Sequence, residues 1–190
     1  MSLSARFLDA FSYAARLHAA QKKKGTATPY LAHLMAVTAL VLDDGGSEDE
    51  AIAALLHDAV EDQGGRDRLD EIRARFGDAV AHIVEGCSDS FTTPKPPWFE
   101  RKRAYVEHAR HLDASTLRVS AADKVTNATA ILRDWHKVGD RVWERFNASR
   151  DDVLWYYSAL VEAFRASGGG PLAEELARVV EALRALPQGR

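Results

Sequence analysis

Apolar residues recur every three or four positions along most of the chain, which is the spacing of helices with one buried face. In the first half, this pattern predicts helices over residues 5–20, 29–44, 47–62, 68–77 and 78–88. Alternating apolar and polar stretches of the kind that indicate strands do not stand out anywhere. The first half of the chain is therefore predicted to be helical throughout.

The second half continues the same pattern after a proline-rich loop. Its predicted helical segments are 99–112, 119–132, 140–146, 151–166 and 171–186. Together with the first half, they predict an all-α protein, a helical bundle of roughly eight to ten helices.

Capping signals and glycines mark the predicted ends of several helices. Thr28 followed by Pro29 is typical of an N-cap and a first helical position, and Ser47 followed by Glu50 fits a capping box. The glycine-rich stretch 167–170 is the best candidate for a linker. We therefore expect one domain over residues 1–166, and a C-terminal amphipathic helix within 171–190 that packs on the domain or at an oligomer interface, such as that of a homodimer.

Composition narrows the class of protein. The chain of 190 residues is 46% hydrophobic, enough for a substantial core, and its net charge of −3 argues against a dedicated duplex nucleic-acid binder. Cys87 is the single cysteine, so no internal disulfide or cysteine-rich zinc site is expected. No apolar run approaches the ~20 residues that span a membrane, and the N-terminus does not resemble a signal peptide. We expect a cytoplasmic protein.

Candidate chemistry appears in the segment ALLHDAVED, residues 54–62. Its apolar start is followed by four polar side chains, at His57, Asp58, Glu61 and Asp62. Taken alone, a buried histidine and a surface aspartate would be the ordinary interpretation. However, an ionised aspartate costs several kcal/mol to bury without a partner, a penalty that a divalent cation would remove. On an unbroken helix, Glu61 would also lie one turn beyond His57, and Asp62 one turn beyond Asp58.

Two further residues extend this pattern. His33 and Asp123 each lie within apolar helical segments, which gives an H…HD…D arrangement with His57 and Asp58. Two imidazoles and two carboxylates form a mixed nitrogen and oxygen site that suits Mn²⁺, Fe²⁺ or Zn²⁺ better than Ca²⁺ or Mg²⁺. The pattern therefore predicts a site for a divalent metal.

Five motifs in order resemble one known family. The segments TPYLAH, AALLHDAVED, RFGDAV, ERKRAY and SAADKVTN resemble the HD-domain hydrolases of the RelA/SpoT type and their small stand-alone relatives, the small alarmone hydrolases. The resemblance spans roughly residues 5 to 165. It implies hydrolysis of guanosine 3′-pyrophosphate nucleotides, with Mn²⁺, to the 5′-nucleotide and pyrophosphate.

The resemblance also implies roles for individual residues. The implied metal ligands are His33, His57, Asp58 and Asp123. The implied catalytic acids are Glu61 and Asp62. The implied contacts to the purine nucleotide are Lys23, Lys24 and Asn127. Two positions depart from the family: Lys23 stands where an arginine that stacks on the base is usual, and Leu34 stands where proline is common. A lysine cannot stack as a planar guanidinium does, so guanine and adenine both remain open.

Several alternatives remain beside this interpretation. The loop over residues 91–103, with Lys95 and three further basic residues, is either a lid over phosphates or a surface loop. An HD-family nucleotidase or phosphodiesterase acting on another nucleotide is the second enzyme hypothesis. Dinuclear phosphodiesterases place extra histidines between the HD pair and the last aspartate, and His82, His108 and His111 lie in that interval. The acid pair after His57-Asp58 favours one metal. A non-catalytic sensing module is the third hypothesis.

Overall fold

The computed structural model describes residues 2–92 and 94–189, and over these residues it contains helices but no named strand. The α-helices are α1 (Ala5–Leu17), α2 (Leu31–Asp43), α3 (Glu48–Leu56), α4 (Ala59–Gln63), α5 (Gly65–Phe76), α6 (Asp78–Cys87), α7 (Trp98–Ala109), α8 (Ala114–Val138), α9 (Arg150–Ala166) and α10 (Pro171–Arg184). A 3-10 helix, Gly139–Arg145, joins α8 to α9. The all-α prediction is confirmed.

Helix α3 lies at the centre of the bundle. All of its residues from Glu50 to Leu56 are buried, because α1, α2, α6 and α8 pack around it. A helix that is apolar on every side is expected in this position. The one charged side chain in this stretch, Glu50, pairs with Arg118 Nη1 of α8 at 2.6 Å.

Helix α8 is the longest element and forms one wall of the site described below. Its N-terminus is capped by Asp113, whose Oδ1 accepts hydrogen bonds from the backbone N–H groups of Ser115 and Thr116 at 3.1 and 3.2 Å. Helices α2, α3, α6, α9 and α10 all contact α8, so its position is fixed along most of its length.

The capping box predicted at Ser47 is present. Ser47 Oγ accepts from the backbone N–H of Glu50, and Glu50 Oε2 accepts from the backbone N–H of Ser47. The helix predicted over residues 47–62 is nevertheless two helices, since α3 ends at Leu56 and α4 begins at Ala59. His57 and Asp58 occupy the break between them. The prediction of one unbroken helix is wrong.

The predicted cap at Thr28 and Pro29 is also wrong. Residues 21–30 form a turn in which the backbone N–H of Lys23 donates to Thr28 O, and that of Tyr30 donates to Gln21 O. Lys22 and Pro29 face each other as an isolated bridge. Helix α2 therefore starts two residues later than predicted, at Leu31, with Tyr30 as the residue that precedes it.

The C-terminal helix lies on the bundle. The apolar face of α10, which includes Leu172, Leu176 and Leu183, is buried, and α10 contacts α8 and α9. Within the part of the chain that the structure describes, no helix combines the length and the apolar character needed to cross a membrane.

Candidate active site

Four predicted side chains meet at the break between α3 and α4. His57 and Asp58 come from the break itself, His33 from the first turn of α2 and Asp123 from the middle of α8. Asp58 Oδ2 lies 3.0 Å from His57 Nε2 and 3.5 Å from His33 Nε2. Asp123 Oδ1 lies 3.2 Å from His33 Nε2 and 3.5 Å from His57 Nε2. The structure thus brings all four together, as the pattern predicted.

Hydrogen bonds outside this cluster orient its members. His57 Nδ1 bonds to the carbonyl of Ala54 at 2.8 Å, which turns Nε2 towards the carboxylates. Tyr30 Oη donates to Asp58 Oδ2, and Asn127 Nδ2 donates to Asp123 Oδ1 at 2.6 Å. Such outer partners are typical of metal ligands, whose orientation they fix.

Burial and neighbouring charges shift the pKa values of the two aspartates in opposite directions. Burial by itself raises the pKa of Asp58, but the adjacent His57 and the hydrogen bond from His33 hold that pKa well below its usual range. Burial likewise raises the pKa of Asp123, and Lys124 with the two histidines lowers it well below the usual value. Both carboxylates are therefore ionised over the physiological range.

The donor set fits a divalent cation. The candidate ligand atoms of His33, His57 and Asp58 lie within 4.8 Å of one another, and Asp123 Oδ1 contacts both imidazoles. When both imidazoles are neutral, as metal ligands must be, the two carboxylates need positive charge beyond that of Lys124, which pairs with Asp123 at 2.5 Å. A divalent metal with a preference for mixed nitrogen and oxygen ligands supplies it.

The predicted catalytic acids lie on α4, directly beyond the break. Glu61 Oε1 accepts the backbone N–H of Asp89 at 2.7 Å, and Lys95 Nζ lies 3.1 Å from Glu61 Oε2 and 3.3 Å from Asp62 Oδ1. Burial, followed by the charges of Asp89 and Asp58, raises the pKa of Glu61 to about 7. Glu61 and Asp62 line a cleft of their own, next to the cluster.

A cavity of about 420 Å³ opens on the other side of the cluster and includes His33 in its wall. The predicted nucleotide contacts Lys23, Lys24 and Asn127 line this same cavity. Lys102, Lys124 and Arg145 add three more cationic side chains to its wall. The cavity therefore combines one edge of the metal cluster with an excess of positive charge, in a chain whose net charge is −3.

The loop before α7 contributes contacts that the sequence did not reveal. The side chain of Asp89 is 4% exposed, and it binds Arg101 Nη1 at 2.5 Å and Lys102 Nζ at 2.6 Å. Those two cations are therefore already paired with a carboxylate, while Lys95 reaches the acid pair of α4. The only sequence signal for Asp89 was an acid immediately after an apolar helix, which is too common to be diagnostic.

The additional histidines of the dinuclear alternative lie elsewhere. His82 Nε2 bonds to Asp113 Oδ2 at 2.9 Å, and His108 Nε2 bonds to the carbonyl of Gly86 at 3.2 Å. Both are exposed, as is His111. Among the residues that the structure describes, the candidate metal group contains His33 and His57 as its histidines.

Comparison with known proteins shows which proteins this chain is similar to. Residues 10–154 match the HD domain family. The guanosine-3′,5′-bis(diphosphate) 3′-pyrophosphohydrolase MESH1 of Xenopus tropicalis is 38% identical over 143 residues, covering 74% of this chain and 75% of the relative. The enzyme of the same name from Homo sapiens is 38% identical over 145 residues, covering 75% of this chain and 76% of the relative.

Two solved structures share the fold. One, described as a metazoan ortholog of SpoT that hydrolyzes ppGpp and plays a role in starvation responses, superposes with a TM-score of 0.78 at 25% identity, covering 98% of this chain and 99% of the other. A Listeria monocytogenes protein gives a TM-score of 0.69 at 30% identity, covering 78% of this chain and 96% of the other. The sequence matches and the site together show that this chain belongs to the HD-domain family and groups there with the MESH1-type pyrophosphohydrolases.

Proposed function

We propose that this protein is a metal-dependent hydrolase that removes the 3′-pyrophosphate from purine alarmone nucleotides such as ppGpp, releasing the 5′-nucleotide and pyrophosphate. The observation that carries the proposal is a buried cluster of two histidines and two aspartates at the edge of a lysine-lined cavity. The curated relatives carry the name of this reaction.

The metal in this proposal is Mn²⁺, with Fe²⁺ and Zn²⁺ as alternatives that suit the same donors. His33, His57, Asp58 and Asp123 would hold it. When bound, such a cation supplies a Lewis acid next to the phosphate and lowers the pKa of water.

Glu61 is the proposed general base, and Asp62 assists it. A pKa of about 7 leaves a substantial fraction of the Glu61 carboxylate ionised at neutral pH while keeping it basic enough to take a proton. Lys95, between the two acids, holds both carboxylates in place. Because α4 follows the break directly, the acids lie beside the proposed ligands.

The cationic wall of the cavity is the proposed nucleotide site. Lysines bind phosphates as point charges, and Lys23, Lys24, Lys102 and Lys124 all line the cavity. Asn127 lies one helical turn beyond Asp123, and it is the proposed contact to the sugar region. A polyphosphorylated nucleotide matches this charge better than an uncharged ligand does.

The test is a product assay with purified protein. We expect ppGpp or ppApp incubated with protein and Mn²⁺ to yield pyrophosphate, and His57→Ala to abolish both this activity and Mn²⁺ binding. His82→Ala, which alters an exposed histidine paired with Asp113, is the matched control and should retain both. Phosphate release alone, or turnover of cyclic nucleotides alone, would instead establish the nucleotidase or phosphodiesterase alternative.

We further propose that the protein acts in the cytoplasm and that residues 1–166 carry the activity. The buried apolar face of α10 favours packing of this helix on its own domain. Light scattering on the purified protein would then report whether a homodimer also forms.

A further inference from the structure

One face of α8 runs the length of the cavity. Asp123, Asn127, Ile131 and Asp134 follow one another at intervals of three or four residues, which places them on the same side of the helix. Asp134 lies three turns beyond Asp123, which is roughly 16 Å along the axis at 1.5 Å per residue. The cavity therefore has a metal end, beside His33 and Asp123, and a distal end at Asp134.

The distal carboxylate is held by a neighbouring guanidinium. Arg145 Nη1, from the 3-10 helix, donates to Asp134 Oδ2 at 2.7 Å. Arg145 is itself confined by Gly25 of the 21–30 turn, where an added Cβ would come within 2.8 Å of the arginine side chain. Gly25 has a φ of 72°, so a glycine is favoured there on conformational grounds as well. Asp134 is thus held by an arginine whose own side chain packs against the 21–30 turn.

The other oxygen of Asp134 keeps its accepting capacity. The cations near Oδ1 are Arg133 Nε and Lys137 Nζ, each at 3.8 Å, which is too long for a hydrogen bond. Within residues 2–92 and 94–189, the hydrogen bond recorded for this carboxylate is the one from Arg145. Its side chain is 16% exposed and lines the cavity. Asp134 therefore presents an oriented acceptor to a ligand.

The wall between the two ends suits a planar ring. Ile131, Val142, Phe146 and Val153 line this part of the cavity, and all four are apolar. Lys102 and Lys124 lie towards the metal end, where Lys124 pairs with Asp123. A nucleotide matches a cavity that is cationic at one end, apolar in the middle and carries a carboxylate at the other end. Its phosphates are anionic, the faces of its base are apolar, and the edge of its base carries hydrogen-bonding groups.

We infer that Asp134, oriented by Arg145, is the residue that reads the base and that it selects guanine over adenine. This inference rests on the proposed function. Guanine presents two adjacent donors, N1–H and the 2-amino group, to a carboxylate, whereas adenine presents one donor group, its 6-amino group, beside an acceptor at N1. A carboxylate oxygen therefore gains two hydrogen bonds from guanine, but it faces the N1 lone pair when it accepts from adenine. Asp134 would thereby supply a contact to the base in place of the arginine that is usual at the position of Lys23.

The test compares base preference in matched variants. We would measure the ratio of kcat/KM for ppGpp to that for ppApp, and the ratio of the Kd values of guanosine and adenosine 3′,5′-bisphosphate by calorimetry. Asp134→Asn keeps the shape but replaces one acceptor by a donor, and should lower the guanine preference in both ratios by roughly 10- to 100-fold. Arg145→Lys keeps the charge but loses the planar fork, and should lower the preference by less.

Arg141→Gln is the control, since it removes an exposed cation from the 3-10 helix that carries Arg145, at a position outside the wall of the cavity. Its two ratios should equal those of the wild type. If the wild type hydrolyses ppGpp but Asp134→Asn keeps the full guanine preference, the inference is overturned and the proposed function stands. If the wild type hydrolyses neither nucleotide yet binds the guanosine bisphosphate more tightly, and Asp134→Asn removes that preference, the proposed function fails and the base-reading role stands.

Discussion

Replacing Tyr30 with phenylalanine isolates one hydrogen bond to a proposed metal ligand. The Tyr30 hydroxyl donates to Asp58 Oδ2, the oxygen that lies 3.0 Å from His57 Nε2. The ring contributes separately, since it stacks on His18 at 5.4 Å and tilts against His33 at 5.3 Å between ring centroids. Phenylalanine keeps both ring contacts and removes only the hydroxyl, so packing around α2 should be unchanged.

The expected effect is on metal affinity. Loss of an outer partner of a metal ligand typically weakens binding by ~10- to 100-fold, which corresponds to about 1.4 to 2.8 kcal/mol. We expect Tyr30→Phe to fall in this range when Mn²⁺ binding is measured by competition with a chelator. Tyr13→Phe is the control, because its hydroxyl accepts from Arg68 Nη1 at 2.7 Å, away from the cluster. Equal affinity of Tyr30→Phe and wild type would refute the role of Asp58 as an oriented ligand.

Three further predictions concern the acids and a helix cap. Glu61→Gln should lower kcat by ~10²- to 10⁴-fold with little change in Mn²⁺ affinity. The wild-type rate should rise as pH increases through about 7, because Glu61 ionises there. A pH–rate profile that is flat around pH 7 would contradict the role of Glu61 as a base. Lys95→Ala removes a cation 3.1 Å from Glu61, so the rising limb of the pH–rate profile should move to higher pH; an unmoved limb would show that this pair is absent in solution. Asp113→Ala should destabilise the protein by about 1 kcal/mol in urea denaturation, since it removes the cap of α8. The folded pKa of Asp113 is lowered from 3.8 to about 2 by hydrogen bonds from Thr116 and His82, which outweigh its burial, so this stabilisation is present above pH 3.8 and lost as pH falls towards 2.

The helices and the four-residue cluster could be predicted because they depend on local patterns. Amphipathic periodicity is a property of a few consecutive turns, and the capping box at Ser47 involves residues three positions apart. The H…HD…D pattern could be identified because each member lies in an apolar helical segment, where a polar side chain needs a partner. Order along the chain was sufficient to suggest which side chains belong together.

The break at His57 and Asp58 could not be predicted in this way. No glycine or proline interrupts the segment from Ala54 to Val60, so local propensity favours a continuous helix. The break is accompanied by long-range contacts, such as those of Asp58 with Tyr30 and His33. Tertiary contacts override weak local preferences, and they cannot be predicted from the residue pattern of a single segment.

The same reasoning explains the residues that the sequence did not identify. Asp89 becomes significant only when the loop before α7 folds onto Glu61, which is 28 positions away. Tyr30 likewise meets Asp58 from 28 positions away. Arg145, at the end of the 3-10 helix, meets Asp134 from 11 positions away. Each depends on a contact between elements, not on a spacing within one.

The break between α3 and α4 has a consequence for how such an enzyme can evolve. The proposed ligands are anchored to the central helix and its neighbours, whereas the acids are carried by a five-residue helix that contacts α1 and α5. Its acids are held by side chains from outside α4, since Gln21 donates to Asp62 at 2.8 Å and Lys95 pairs with both Glu61 and Asp62. Substitutions at positions 21 or 95 can therefore change the pKa values and positions of the two acids while the geometry of the proposed ligands is conserved.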